Sequence, residues 1–204
     1  LNPKFSREWT TEIMFEKFNI PSFYTGVNAF FSLLSSGRKN GIVLESGAEV
    51  SCSVPIIDGN PIKESIIRVP IGGVDMTKYL MKLFKEREYI PYDEKHTALF
   101  YDIRKEIAYV ETNFENGMKK AETTSDCNIM FNKKYLVKPL LLFNKERFMC
   151  SELLFQPKLD GLNFEGIDKA IFRSIINCKS DFHIDLLSNI VLSGGNSKLK
   201  GLNE

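Results

Sequence analysis

The sequence predicts an α/β fold in which a strand meander and a later buried strand flank an inserted, mainly helical block. Three observations support this prediction. Polar and apolar residues alternate over 50–56, as they do along a strand. After Gly72 and Gly73 the apolar spacing changes to the three-and-four pattern of a helix. Near the end an apolar run returns and stops at a Ser-Gly-Gly-Asn turn, which completes a strand, helix, strand order.

Two helices are predicted before the meander. The first covers about 6–17, and its apolar side chains lie on more than one face, so we expect burial on several sides. Pro21 marks its end. The second covers 27–34, with Gly37 expected to cap its carboxyl end.

The meander is the clearest strand signal. In its second strand, Ser51 and Ser53 lie on the face opposite the apolar side chains. Consecutive strands joined by short turns pair antiparallel. The predicted strands are 41–44, 50–56 and 65–69, separated by turns at 45–47 and 58–61.

The inserted block begins with a helix whose buried stripe runs from Met76 to Phe84. A second helix is predicted over 91–110, and the polar stretch 113–134 is interpreted as a loop. The remaining predicted elements are short strands at 135–137 and 140–143, helices around 167–175 and 181–187, and a buried strand at 189–192.

Composition narrows the class of protein. The 27 Lys and Arg residues balance 26 Asp and Glu residues, so no net field favours nucleic acid or a membrane surface as a partner. The four cysteines form no Cys-x-x-Cys pair, which favours a reduced, intracellular protein. No apolar run reaches the ~20 residues of a membrane span. The first residues are neither an initiator methionine nor a signal peptide, so we expect a piece of a longer polypeptide.

Two glycine turns could carry chemistry, because a missing Cβ lets backbone N–H groups approach a phosphate. One is the predicted hairpin tip at 45–47, and the other, at 193–196, precedes a predicted helix start. Alone, neither turn is specific. His96 and His183 are isolated in the sequence, and no hydrolase, Walker or kinase motif is present, so metal sites and P-loop chemistry are not indicated.

Several segments of the sequence resemble actin, in the order and at close to the spacing found in that family. They include Ile-Val-Leu-Glu-Ser-Gly before the first glycine turn and Val-Leu-Ser-Gly-Gly at the second. The chain is therefore similar to actin and the actin-related proteins across its whole length. The matching segments are 1–4, 13–21, 36–38, 41–47, 77–82, 152–157 and 191–195.

The resemblance implies the second half of an actin-like ATPase domain, with its ribonuclease H-like motif and an inserted α+β subdomain. Residues 1–35 would form the end of the outer lower subdomain and the hinge helix. Residues 36–71 with 163–204 would form the inner lower subdomain, and 72–162 the inner upper subdomain.

The resemblance also implies a cofactor, ATP or ADP with magnesium, bound between two lobes. The family's first phosphate loop lies outside this chain. Carried over by position, the second phosphate loop would include Ser46 and Gly47. The cleft would be lined by Gly73, Gly194 and Gly195, with Arg104 in place of the family's adenine-side lysine.

Departures from the family pattern fall in the same places. Ala48 replaces a metal-ordering aspartate, and Glu49 replaces a glycine beside the phosphates, where two unit charges ~4 Å apart repel by about 4 kcal/mol at an effective dielectric of 20. Asn28 and Cys52 replace the glutamine and histidine associated with water activation. These changes predict weak polyphosphate binding and impaired hydrolysis.

Base recognition and filament contacts are also altered. Lys105 replaces a glutamate that accepts hydrogen bonds from the ribose, and an ammonium cannot accept. Asp160 lies in the loop that matches the family's interstrand plug, where the family has an apolar side chain. Conventional polymerisation is therefore not expected.

These features favour a divergent actin-like protein that serves as a cytoskeletal or architectural and regulatory subunit, with protein partners and a degenerate nucleotide cleft. One alternative is an ATP-binding, slowly hydrolysing, filament-forming actin. Another is a nuclear actin-related subunit of a chromatin-remodelling complex. The expected compartment is the cytoplasm and cytoskeleton, with the nucleus as the alternative.

Overall fold

The computed structural model describes residues 3–88, 94–124, 129–131 and 141–204. Helices and strands follow one another along these segments and form a five-stranded mixed sheet, a two-stranded sheet and a helical layer. The helices are α1 (Lys4–Glu16), α2 (Asn28–Ser35), α3 (Gly73–Glu88), α4 (Thr97–Ile107), α5 (Phe114–Thr123), α6 (Glu146–Glu152), α7 (Ile167–Ile176) and α8 (His183–Ser188). The strands are β1 (Gly41–Ser46), β2 (Ser51–Ile57), β3 (Asn60–Pro61), β4 (Ile67–Val69), β5 (Ile129–Phe131), β6 (Leu141–Phe143) and β7 (Ile190–Ser193).

The main sheet combines the predicted meander with the last strand. Strand β2 pairs antiparallel with β1, β3 and β4, whereas β7 pairs parallel with β1. Asp58 and Gly59 adopt positive φ angles of 50° and 75° in the turn that returns the chain to β3. A parallel strand reached through helices, beside an antiparallel meander, confirms the α/β fold class.

The largest core lies between the sheet and the helical block. Leu44 and Ile71 from the sheet side pack in one cluster with Met76, Leu80 and Phe84 of α3. The predicted α3 stripe is therefore confirmed. The same cluster includes aromatic and aliphatic side chains from α4, β6, the turn after α6, and α7, among them Phe100, Ile103, Phe143, Leu153, Leu154, Ile167 and Ala170.

Two burial predictions are wrong. Helix α1 has no buried residue, and Phe5 and Trp9 are 74% and 58% exposed, so its apolar faces are not covered by the described residues. Strand β7 lies at the edge of the sheet, and Ile190 is 44% exposed. An apolar run alone does not distinguish a central strand from an edge strand.

The predicted loop over 113–134 is also wrong in its first part, which forms α5. Asn113 caps this helix by accepting a hydrogen bond from the N–H of Asn116 at 3.0 Å. Strand β5 follows and pairs with β6. The helix predicted over 91–110 begins in the described residues as a 3₁₀ turn and ends at Ile107. The predicted strand at 135–137 lies outside the described residues.

No helix in the described parts of the chain combines the length and the apolar character that crossing a membrane requires.

Candidate functional site

The first glycine turn differs in detail from its prediction. Glu45 and Ser46 still belong to β1, and the hairpin turns at 47–50, closed by the Gly47 N–H donating to the Val50 carbonyl at 3.0 Å. Ser46 is buried, and its hydroxyl lies 2.8 Å from that of Ser51. Ser51 in turn donates to the Ile71 carbonyl at 2.9 Å.

The second glycine turn lies directly beside the first because β7 runs parallel to β1. Gly194 has a φ of 87°, and a Cβ placed on it would lie 2.2 Å from the Ser46 carbonyl oxygen. Only glycine fits this approach. Gly195 has open space where a Cβ would project. The predicted helix start is a 3₁₀ turn over Gly195–Lys198, too short for the anion-binding geometry of an α-helix terminus.

Asn196 joins the two turns, a role that the sequence analysis did not assign to it. Its amide nitrogen donates to the Ser46 hydroxyl at 3.0 Å and to the Gly47 carbonyl at 2.8 Å. The side chain is 5% exposed. Its position in the Ser-Gly-Gly-Asn motif was the only sequence signal for this role.

Gly73 begins α3 and meets the hairpin. Its N–H donates to the Gly47 carbonyl at 3.0 Å, and the N–H of Val74 donates to the Ala48 carbonyl at 2.7 Å. The hairpin carbonyls therefore cap the first orphan donors of α3. A Cβ on Gly73 would lie 3.0 Å from an Arg104 nitrogen and 3.1 Å from the Asn196 amide oxygen.

Arg104 brings α4 to the same point. Arg104 as a whole residue is 5% exposed, and its guanidinium donates to the Thr77 hydroxyl at 3.0 Å and to the Asn196 amide oxygen at 3.5 Å. Burial lowers the pKa of Arg104, with Cys150 and Tyr101 acting in the opposite direction. No described carboxylate forms an ion pair with it. An arginine stays charged even so, so a buried cation supported by neutral partners lies between α3, α4 and the second glycine turn.

The structure therefore brings the predicted cleft residues together. We call Ser46, Gly47, Gly73, Arg104 and Asn196 the cleft-floor cluster, with Gly194 packed against it and Gly195 on its open side. That these residues contact a nucleotide remains a prediction.

The opposite face of the sheet carries a second polar group. Cross-strand partners place Ser193, Glu45, Cys52 and Arg68 side by side across β7, β1, β2 and β4, and we call this the polar row. Helix α2 covers part of the polar row. Asn28 of α2 donates to Glu45 at 3.3 Å, and the Ser32 hydroxyl of α2 lies 2.8 Å from the Ser193 hydroxyl of β7.

The thiol in the polar row is a poor proton acceptor. Cys52 is half-buried, and desolvation raises its pKa, against the opposing field of Arg68. At neutral pH it therefore remains protonated. His183 contacts the Cys178 carbonyl at 3.0 Å, away from either cluster. The described segments contain no group of three or more His, Cys, Asp or Glu side chains that could hold a metal ion.

The loop at 158–162, which resembles the family's interstrand plug, is bound to other parts of this chain. Asp160 forms a 2.6 Å ion pair with Lys82 of α3, and Leu159 and Leu162 pack against the main core. Asp160 is thus a paired charge in this chain.

Comparison with known proteins decides the family. The family model for actin matches residues 1–204, the whole chain. The chain belongs to the actin family. It is also 36% identical over 207 residues to "Putative actin-29" of Dictyostelium discoideum, an alignment that covers 100% of this chain and 53% of that protein. This actin-family chain spans about half the length of the curated relative it matches, so the activity of the whole protein is a matter for proposal.

Proposed function

We propose that this actin-family chain belongs to an architectural or regulatory subunit whose nucleotide cleft is degenerate and which does not rely on conventional polymerisation. The carrying observation concerns the polar row and Asn28 beside it. A half-buried, protonated Cys52 thiol and Asn28, whose amide donates to the Glu45 carboxylate, stand at the two positions that the resemblance associates with water activation. A neutral thiol cannot take a proton from water at neutral pH, so Cys52 is not an efficient general base.

The residues also fit magnesium polyphosphate poorly. Magnesium requires oxygen ligands in octahedral geometry. The hairpin tip offers the Ala48 methyl group, and one oxygen of the Glu45 carboxylate, on the strand before the tip, accepts from Asn28. Glu49 adds a second negative charge at the tip, which repels phosphate. We therefore assign no catalytic step to the metal or the nucleotide.

A role in protein association draws support from exposed apolar side chains on α7 and α8. Phe172 and Ile184 are 62% and 77% exposed. Large apolar side chains that face solvent are typical of association surfaces when they form a patch. The paired Asp160 and its packed loop argue against use of that loop between filament strands. We place such a subunit with protein partners in the cytoplasm and cytoskeleton, and in the nucleus under the chromatin-remodelling alternative.

One observation favours the alternative of a nucleotide-binding protein. Arg104 is a buried cation without a carboxylate partner in the described chain, and the N–H groups of Ala48 and Glu49 at the hairpin tip donate to no described backbone acceptor. These groups would attract an anion. On our proposal they give only weak nucleotide binding.

Variants of the hairpin tip separate the two functions. In the full-length protein, Ala48→Asp should tighten Mg-ATP binding by roughly tenfold or more, since it supplies the missing oxygen ligand. Glu49→Gly is the matched control that removes charge without adding a ligand. Tight Mg-ATP binding by the unmodified protein, with little change on Ala48→Asp, would favour the active-ATPase alternative.

A further inference from the structure

The cleft-floor cluster forms one continuous hydrogen-bonded relay from α4 to the hairpin. Arg104 donates to the Asn196 oxygen at 3.5 Å, and the Asn196 nitrogen donates to Ser46 at 3.0 Å. Because the Ser51 proton is used on the Ile71 carbonyl, Ser46 must be the donor in its contact with Ser51. The Asn196 amide nitrogen has two hydrogens, one for the Ser46 hydroxyl and one for the Gly47 carbonyl, so both have an acceptor.

The Gly47 carbonyl is the point where the relay meets α3. It accepts from Asn196 at 2.8 Å and from the N–H of Gly73 at 3.0 Å. A carbonyl oxygen has two lone pairs, so both are used. Thr77 anchors the other end, because its hydroxyl donates to the Gly73 carbonyl while accepting from Arg104.

Burial strengthens these contacts. Ser46, Thr77 and Asn196 are 1%, 1% and 5% exposed, so water does not compete effectively for their polar atoms. An asparagine amide suits the central position because it both donates and accepts. The bonds of the relay all join residues of this chain, and none of them needs a ligand.

We infer that the cleft-floor cluster is a ligand-independent clasp, which holds the hairpin at 47–50 against the start of α3 whether or not a nucleotide is bound. This inference rests on the proposed function and extends it: a subunit with such a clasp keeps one cleft conformation, which suits a constant architectural role. The main core also joins the sheet to the helical block, so the clasp sets the local position of the hairpin.

Amide hydrogen exchange on the full-length protein tests the clasp directly. The reporters are the N–H groups of Gly73 and Val74, which bond the hairpin carbonyls. In the unmodified protein their exchange should be equally slow with and without Mg-ATP. In Asn196→Ala their exchange should be about tenfold faster or more, since a buried hydrogen-bonded bridge is lost. The N–H of Val110, bonded to the Lys200 carbonyl at 2.7 Å, is the control and should not change.

A second variant guards against simple loss of folding. Asn196→Asp keeps an acceptor for Arg104 but removes both donors to the hairpin, so Gly73 and Val74 should again exchange faster while unfolding of the whole protein still occurs cooperatively. Exchange that is fast in the ligand-free unmodified protein and slows only with Mg-ATP would overturn the clasp. Tight Mg-ATP binding without any change in exchange would contradict the proposed function but leave the clasp standing.

Discussion

The two faces of β1 carry polar groups of different character. On one face Ser46 belongs to the cleft-floor cluster, whose polar side chains, those of Ser46, Arg104 and Asn196, are buried and hydrogen-bonded. On the other, the neighbouring Glu45 belongs to the polar row, where its bond to Asn28 is 3.3 Å long and exposed to solvent. Alternation along a strand thus separates a rigid structural network from a loosely held one. The difference indicates that the groups on the Ser46 face are held in place more strictly than those on the Glu45 face.

The largest effect should come from the glycine turn beside the cleft floor. Gly194→Ala combines a φ of 87° with a Cβ 2.2 Å from the Ser46 carbonyl oxygen, so it should lower the free energy of unfolding by about 3 kcal/mol or more. Gly195→Ala is the matched control, because a Cβ there meets open space, and should change it by about 0.5 kcal/mol or less. Denaturant unfolding measures both. Equal effects would mean that the two turns are not packed as described.

A smaller effect should distinguish two asparagines on opposite faces. Asn196→Ala removes buried hydrogen bonds to Ser46, Gly47 and Arg104, so it should cost about 2 to 3 kcal/mol of unfolding free energy. Asn28→Ala removes one long, exposed bond and should cost about 0.5 kcal/mol. Denaturant midpoints at constant slope provide the comparison. A larger loss of unfolding free energy for Asn28→Ala than for Asn196→Ala would contradict the assignment of the structural network to the Ser46 face.

The pH dependence of stability sharpens the comparison further, through the buried Cys150 near Arg104. Desolvation raises the Cys150 pKa from 9.0 to about 12. Between those values the unfolded thiol ionises while the native thiol does not, so stability falls as pH rises, by up to about 1.4 kcal/mol per pH unit. Cys150→Ala removes this thiol and should flatten that part of the slope in alkaline denaturation curves. Parallel curves for the two proteins would show that the thiol ionises equally in both states.

Local sequence patterns predicted much of the fold. The stripe from Met76 to Phe84 and the meander were predictable because each needs only near neighbours in sequence. The burial of β7 was not, since an edge strand and a central strand share one apolar pattern. Helix α5 was missed because its polar surface hid an asparagine cap at Asn113, which is a local signal that the loop interpretation overlooked.

The candidate site was predictable only by resemblance. Short glycine turns such as those at 45–47 and 193–196 are common in proteins, and no local sequence pattern predicts that these two lie side by side. Parallel pairing of β7 with β1 does so. The role of Asn196 depends on Ser46, 150 positions away, and on Arg104, 92 positions away. Contacts over such separations follow from topology, which local periodicity does not specify.

The most direct test of the degenerate cleft is a titration of the full-length protein with labelled ATP in the presence of magnesium, followed by measurement of phosphate release. We expect weak binding without detectable turnover, because Ala48 and Glu49 offer magnesium polyphosphate a poor site and the protonated Cys52 thiol cannot activate water. Submicromolar binding with steady phosphate release would contradict it.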